Sequence, residues 1–322
     1  MKTKIVYSVV STENDSYLEQ TLLSAYSARH FNQGARIELV VDEITAATLI
    51  GKREEIKKYI SKLIVIEITG DYNQKQRSRY LKTNLRNYIK EDFLFVDNDT
   101  IICCSLDEID NCEWEIAATR EKNKFDTFTN KDEYMWKLAG QVGIQEDLIE
   151  HPYFNSGVMY VKNTENAHRL YDTWHSLWKK YQKRGLDTDQ TSLSMANKLC
   201  NHSIHHIEDS WNCQIKVGGI SFSRNARIIH YFFGMNECSY IFSLHSMHES
   251  IKQFGSIPPF VIKLLQAPKE AFFTSGFEIE YCNHSKCISQ VYIEHPFLYR
   301  MLHLAARLIL KLYWFFKIKN KE

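Results

Sequence analysis

Short β-branched apolar runs alternate with amphipathic segments through the N-terminal third of the chain, and nothing else in it restricts the fold as strongly. Strand signals fall at residues 5–10, 37–41, 63–68 and 93–96, with helical periodicity between them at 17–29, 46–59 and 78–89. In the first of these helices Leu18, Leu22, Leu23 and Tyr26 share one face. Apolar strands without polar alternation are buried on both faces, as in a parallel sheet covered by helices. The alternation therefore predicts an α/β domain with a mostly parallel central sheet. Such sheets bind ligands outside the carboxyl ends of their strands.

Downstream the texture changes. Residues 114–118 are strand-like, 125–131 polar and loop-like, and 153–161 strand-like again, with Asn155-Ser156-Gly157 near the start. A charged, Trp-rich helix is expected over 167–183, a further helix from 187 to 197, and a short apolar run at 228–233. Beyond residue 239 helices dominate, so the expected division is 1–238 for the α/β domain and 239–322 for a helical appendage. The net charge of +1 gives no electrostatic case for nucleic acid. The 8 cysteines include an adjacent pair, Cys103-Cys104, and an isolated Cys282 and Cys287. That spacing fits neither a disulfide framework nor paired zinc knuckles, and it reads as free thiols in a reducing compartment. The opening strand is too short for a signal peptide and lacks a small-residue cleavage site, which leads to a cytoplasmic expectation.

The chemistry concentrates at the end of one strand. Phe93-Leu94-Phe95-Val96 runs into Asp97-Asn98-Asp99-Thr100, which delivers two carboxylates to the mouth of the sheet. Mn²⁺ and Mg²⁺ take such oxygen ligands and keep open positions for substrate phosphates. A second tripeptide of the same form, Asp187-Thr188-Asp189, follows a Lys-rich helix and leads into Gln190, and the two cannot both be the same site. The helix before the Asp97 strand carries Arg77, Arg79 and Lys82; the last two share a face and are suited to a donor's phosphates or hydroxyls. At the end of the first strand, Ser11 and Tyr17 bracket a polar loop where a nucleotide base could sit; a plain helix N-cap is the alternative.

With these pieces in order, the chain resembles the GT-A glycosyltransferases, particularly glycosyltransferase family 8. The matching segments are Phe95-Val96-Asp97-Asn98-Asp99-Thr100, Phe154-Asn155-Ser156-Gly157-Val158-Met159, Asp189-Gln190, Trp211-Asn212 and Ile229-His230-Tyr231. The resemblance covers about residues 1–235 and implies the GT-A (Rossmann-like) nucleotide-diphospho-sugar transferase fold. It implies Mn²⁺ (or Mg²⁺) on Asp97, Asp99 and His230, bridging the phosphates of a UDP-sugar. Asn155 and Ser156 would line the sugar and acceptor pocket, Asp189 would bind the donor sugar, and Gln190 would lie near the anomeric carbon. Tyr17 would flank the uracil. Retention of anomeric configuration is implied too, either by attack from the leaving-group face or through a covalent intermediate for which Asp189 is the nominated catalytic carboxylate, whereas an inverting enzyme would need a general base, for which Glu208 and Asp209 are the candidates. The sequence departs from the family after the histidine: Gly234 comes one residue late and no Lys-Pro-Trp follows. Sugar-phosphate nucleotidylyltransferases are an alternative on a related sheet, but Val9-Val10-Ser11-Thr12 lacks their glycine-rich loop. A non-catalytic membrane-peripheral protein on the same scaffold is the other.

The tail is the remaining distinctive segment. Residues 296–319 are apolar and aromatic, Trp314 among them, apart from a stripe of Arg300, His303, Arg307 and Lys311 at helical spacing. A spanning helix would carry those charges through the bilayer centre. A helix lying in the interface would turn them toward anionic headgroups, the alternative being a core-packing helix with an exposed basic edge. The expected partners are therefore a UDP-sugar, a glycan or glycolipid acceptor such as lipopolysaccharide or capsule, and the inner face of the cytoplasmic membrane.

Overall fold

The computed structural model describes residues 1–123, 140–141, 143–144, 152–215, 219–231, 244–269 and 295–319. Strands β1 (Lys4–Val9), β2 (Ile37–Asp42), β3 (Lys62–Ile66) and β4 (Phe93–Val96) pair in parallel, with β1 between β2 and β4. The sheet continues through β7 (Phe154–Val161) and β6 (Ile116–Arg120) to β8 (His205–His206), giving the order β3-β2-β1-β4-β7-β6-β8. It is parallel except where β7 runs antiparallel between β4 and β6. A small second sheet sets β10 (Ile228–His230) between β5 (Thr100–Ile102) and β9 (Cys213–Gln214).

The alternation of side chains along a strand explains the two cores. Ile5, Tyr7 and Val9 of β1 face one side, with Leu18, Leu22 and Leu23 of α1 (Tyr17–Phe31). Val6 and Val10 face the other, with Phe93, Phe95, Leu81 and Trp174. The first core also takes in Met247 and Ile251 of α7 (Leu244–Phe254) and Val261 and Leu265 of α8 (Pro259–Gln266). Those two C-terminal helices thus complete the core of the α/β domain rather than building one of their own. The expected boundary near residue 238 and the expected loop at 125–131 lie outside the described residues.

Two expected helices differ. The segment 46–59 breaks into α2 (Glu43–Ala47) and a 3₁₀ turn over Gly51–Lys58. Asp42 caps α2 early by accepting from Thr45 N at 2.7 Å, and Gly51 adopts a left-handed φ of 55° that no continuous helix tolerates. The segment 78–89 becomes α3 (Gln74–Thr83) and α4 (Leu85–Tyr88), because a reciprocal capping box between Asn73 and Gln76 starts the helix earlier than expected. The Trp-rich helix is present as α5 (Glu165–Gln182), and the following one as α6 (Gln190–Leu199).

The expected tail helix is α9 (Pro296–Lys319). Phe297, Met301, Leu304, Leu308, Phe315 and Phe316 are exposed along it, as are Arg300, Arg307 and Lys311. The side chains of His303 and Trp314 lie outside the described residues. Among the described residues no helix is long and apolar enough to cross a membrane.

Candidate active site

Strand order changes direction between β1 and β4, since the chain builds β2 and β3 to one side of β1 and then crosses to the other. A cleft of about 730 Å³ opens at the carboxyl ends of these strands. Asp97 leaves β4 with its N–H donating to Gly157 O at 2.7 Å, so the antiparallel partner β7 fixes where the turn begins. The Thr100 hydroxyl donates back to Asp97 O at 2.8 Å and closes the turn around Asn98 and Asp99. β10 then pairs antiparallel with β5, His230 opposite Thr100. Three segments far apart in sequence thereby converge.

Asp97, Asp99 and His230 each offer a ligand atom, all within 4.8 Å of one another. His230 Nε2 lies 3.1 Å from Asp99 Oδ1. Two carboxylates and an imidazole suit Mn²⁺ or a similar divalent cation, so this donor set fits the metal that the sequence implies. Burial raises the Asp97 carboxyl above its usual range, opposed by Lys82 and reinforced by Asp99. Burial alone would push His230 down; the neighbouring Asp99 carboxylate raises it instead.

Across the cleft, Asp189 stands at the N-terminal boundary of α6 and is itself buried. Arg79 Nε lies 2.8 Å from its Oδ1, Lys82 Nζ 3.5 Å from its Oδ2, and the Ser156 hydroxyl donates to Oδ2 at 3.1 Å. Burial pushes the carboxyl up, but Arg79 and Lys82 outweigh it and hold Asp189 at about 2. Lys82 also donates to both oxygens of Asp97, at 2.9 and 3.0 Å. One ammonium thus bridges the two sides of the cleft. Asp187 is not drawn in; its carboxylate accepts from Gln76, so the second Asp-x-Asp does not form a ligand pair.

Of the residues expected here, Tyr17, Arg79, Lys82, Asn155, Ser156, Asp189 and Gln190 line the cleft with the three ligands. Ser11 does not. Its hydroxyl donates to Asp15 at 2.7 Å and accepts from Arg53 at 3.0 Å, so it is buried in the loop it was expected to present. Arg77 turns inward as well, pairing with Asp42 and Glu43 at 2.7 and 2.6 Å. Asp209 holds Asn123 and His206, and neither it nor Glu208 lines the cleft.

Sequence reasoning missed Glu121. Its Oε2 accepts from Asn155 Nδ2 at 2.7 Å and Gln190 Nε2 at 2.5 Å, tying together two residues expected beside the reacting sugar. Lys122 and Asn123, which follow it, are both left-handed at φ 60° and 50°, a strained pair of non-glycine residues. The sequence held no signal specific to it, since the expected strand ended at residue 118 and a carboxylate three residues on reads as solvated.

Fold and cleft together define a glycosyltransferase of the GT-A type. The chain belongs to Glycosyl transferase family 8, whose model matches residues 8–235. Among solved structures, the galactosyltransferase LgtC in complex with donor and acceptor sugar analogs is similar at a TM-score of 0.50 and 12% identity, covering 78% of this chain and 96% of that one. Mouse xyloside xylosyltransferase 1 is similar at 0.49 and 15%, covering 74% and 100%. The glycosyltransferase GlyE of Streptococcus pneumoniae TIGR4 is similar at 0.47 and 18%, covering 84% and 66%. No curated protein matches the sequence.

Proposed function

We propose that the protein is a metal-dependent transferase that moves a hexose-type sugar from a UDP-sugar to a hydroxyl of a cell-surface glycan, with retention of configuration. The observation that carries this reading is the convergence of Asp97, Asp99 and His230 opposite Asp189 and Gln190 in one cleft. A bound Mn²⁺ or Mg²⁺ would neutralise the negative charge that develops on the departing diphosphate. Asp189, kept ionised by Arg79 and Lys82, is suited to accept hydrogen bonds from sugar hydroxyls. Tyr17, 44% exposed at the cleft margin, offers a ring to the base. Glu121 holds the amides of Asn155 and Gln190 in fixed orientation, which favours a single pose for the acceptor hydroxyl. Retention is favoured over inversion because the carboxylates nominated as a base, Glu208 and Asp209, are absent from the cleft lining. The exposed apolar and basic side chains of α9 suit a helix lying in an anionic membrane surface, which would bring a lipid-linked acceptor to the cytoplasmic face. The test is a panel of UDP-sugars with Mn²⁺, scored by donor hydrolysis. Metal-dependent turnover of one donor, abolished by Asp97→Ala, is expected; turnover unchanged in that variant would sink the metal site.

A further inference from the structure

One backbone amide sets the direction of the chain of side-chain hydrogen bonds that ends on His230 Nδ1. The N–H of Gly157 can only donate, and it reaches Asn155 Oδ1 at 2.8 Å. The Asn155 side chain is therefore fixed with its oxygen toward Gly157 and its amide nitrogen toward the Glu121 carboxylate at 2.7 Å. The same Asn155 oxygen meets the Asn212 amide group at 2.8 Å, so Asn212 must present its nitrogen there as donor. That leaves Asn212 Oδ1 facing His230 Nδ1 at 3.0 Å. A carbonyl oxygen has only lone pairs to offer, so the ring must carry its proton on Nδ1. His230 Nε2, 3.1 Å from Asp99 Oδ1, is then the ring nitrogen on the side of the candidate metal.

Asn155, Asn212 and His230 are all buried. Reversing either amide would set like atoms against each other where water is excluded, and buried polar groups tolerate that poorly.

We propose that Asn212 is the positioning residue of the metal histidine. It holds His230 as the Nδ1–H tautomer and, through Asn155 and Glu121, links that ligand to Gln190 in one relay. The proposal rests on reading Asp97, Asp99 and His230 as a metal site. Outer partners of metal histidines commonly contribute about 10- to 100-fold in affinity.

The test titrates Mn²⁺ into the full chain and follows free ion by electron paramagnetic resonance. Wild type is compared with His230→Ala, Asn212→Ala and Asn212→Asp. His230→Ala and Asn212→Ala should each lose about 10- to 100-fold in Mn²⁺ affinity. Asn212→Asp keeps an acceptor opposite Nδ1 and should bind Mn²⁺ close to wild type. It can no longer donate to Asn155, so its kcat for UDP-sugar hydrolysis should fall while metal affinity holds. A residue with a merely structural role would not produce that split. Wild-type affinity in Asn212→Ala, beside a loss in His230→Ala, overturns the relay and leaves the metal reading standing. Unchanged binding in His230→Ala overturns the metal reading, and the relay with it. Should the alanine variant not fold, a long-range ¹H–¹⁵N spectrum of histidine-labelled wild type reads directly which ring nitrogens carry a proton. His230 is assigned there by the signal lost in His230→Gln. A proton on Nδ1 supports the proposal and a bare Nδ1 refutes it.

Discussion

Gly157 is the position where the smallest change should do the most damage. A Cβ built there would sit 2.4 Å from His230 Cε1, 2.9 Å from His230 Nδ1 and 2.8 Å from Asn155 Oδ1. Ordinary contact begins at 3.4 Å, so the imidazole would have to retreat by 3.4 − 2.4 = 1.0 Å. The ring has little freedom to do so, being buried with Nδ1 on Asn212 at 3.0 Å and Nε2 against Asp99 at 3.1 Å. β7 cannot easily yield either, because Gly157 O receives the N–H of Asp97 at 2.7 Å and so helps fix a second ligand. Glycine is needed here for close approach rather than for an unusual backbone angle. Gly157→Ala should therefore cost about 1–3 kcal/mol of stability through overpacking. Its effect on turnover should be far larger, since a misplacement of about 1 Å can cost on the order of a hundredfold in rate. Thermal melts by circular dichroism would give the stability change, and Mn²⁺ titration with UDP-sugar hydrolysis would give the functional one. A folded Gly157→Ala variant with wild-type Mn²⁺ affinity and turnover would refute the reasoning, because the ring would then not be pinned.

Glu121→Ala should lower kcat about 10- to 100-fold by freeing the Asn155 and Gln190 amides, with Mn²⁺ affinity nearly unchanged; equal losses in both would place Glu121 in the metal's own support. Asp189 is held at about 2 against an ordinary 3.8, so the interactions that hold it stabilise the fold fully above roughly pH 4 and are lost as pH falls toward roughly 2. That contribution is on the order of 2 kcal/mol, and Asp189→Asn should flatten the acid end of the stability profile; an unaltered profile would show that the carboxylate is not stabilised by Arg79 and Lys82. Deleting residues 296–322 should release the protein from vesicles containing anionic lipid, and equal sedimentation with the full chain would exclude α9 as the anchor.

What could be read from the sequence divides by how local its cause is. The Asp97 strand was legible because burial on both faces shows as an uninterrupted apolar run, and the carboxylates follow directly in the chain. Arg79 and Lys82 were legible because helical spacing alone places them on one face. Helix ends were not, since Gly51 and the Asn73–Gln76 box act over single residues that periodicity averages away. Ser11 was misplaced for a related reason: the end of β1 does open on the cleft, but Asp15 and Arg53 claim the hydroxyl from the other side.

Glu121 is the more instructive case, because nothing around it in the sequence distinguishes it from a solvated surface carboxylate. It becomes part of the site only because β6 pairs antiparallel with β7, which puts Arg120 opposite Phe154 and so brings residue 121 beside Asn155. The same pairing of β7 with β4 sets Gly157 against Asp97. Among the described residues, the strand inserted antiparallel in this sheet therefore carries Asn155, Ser156 and Gly157 past both the Asp97–Asp99–His230 cluster and the carboxylates of Asp189 and Glu121. Its register governs the whole site, since a slip of one residue would turn each of the three to the face opposite its present one.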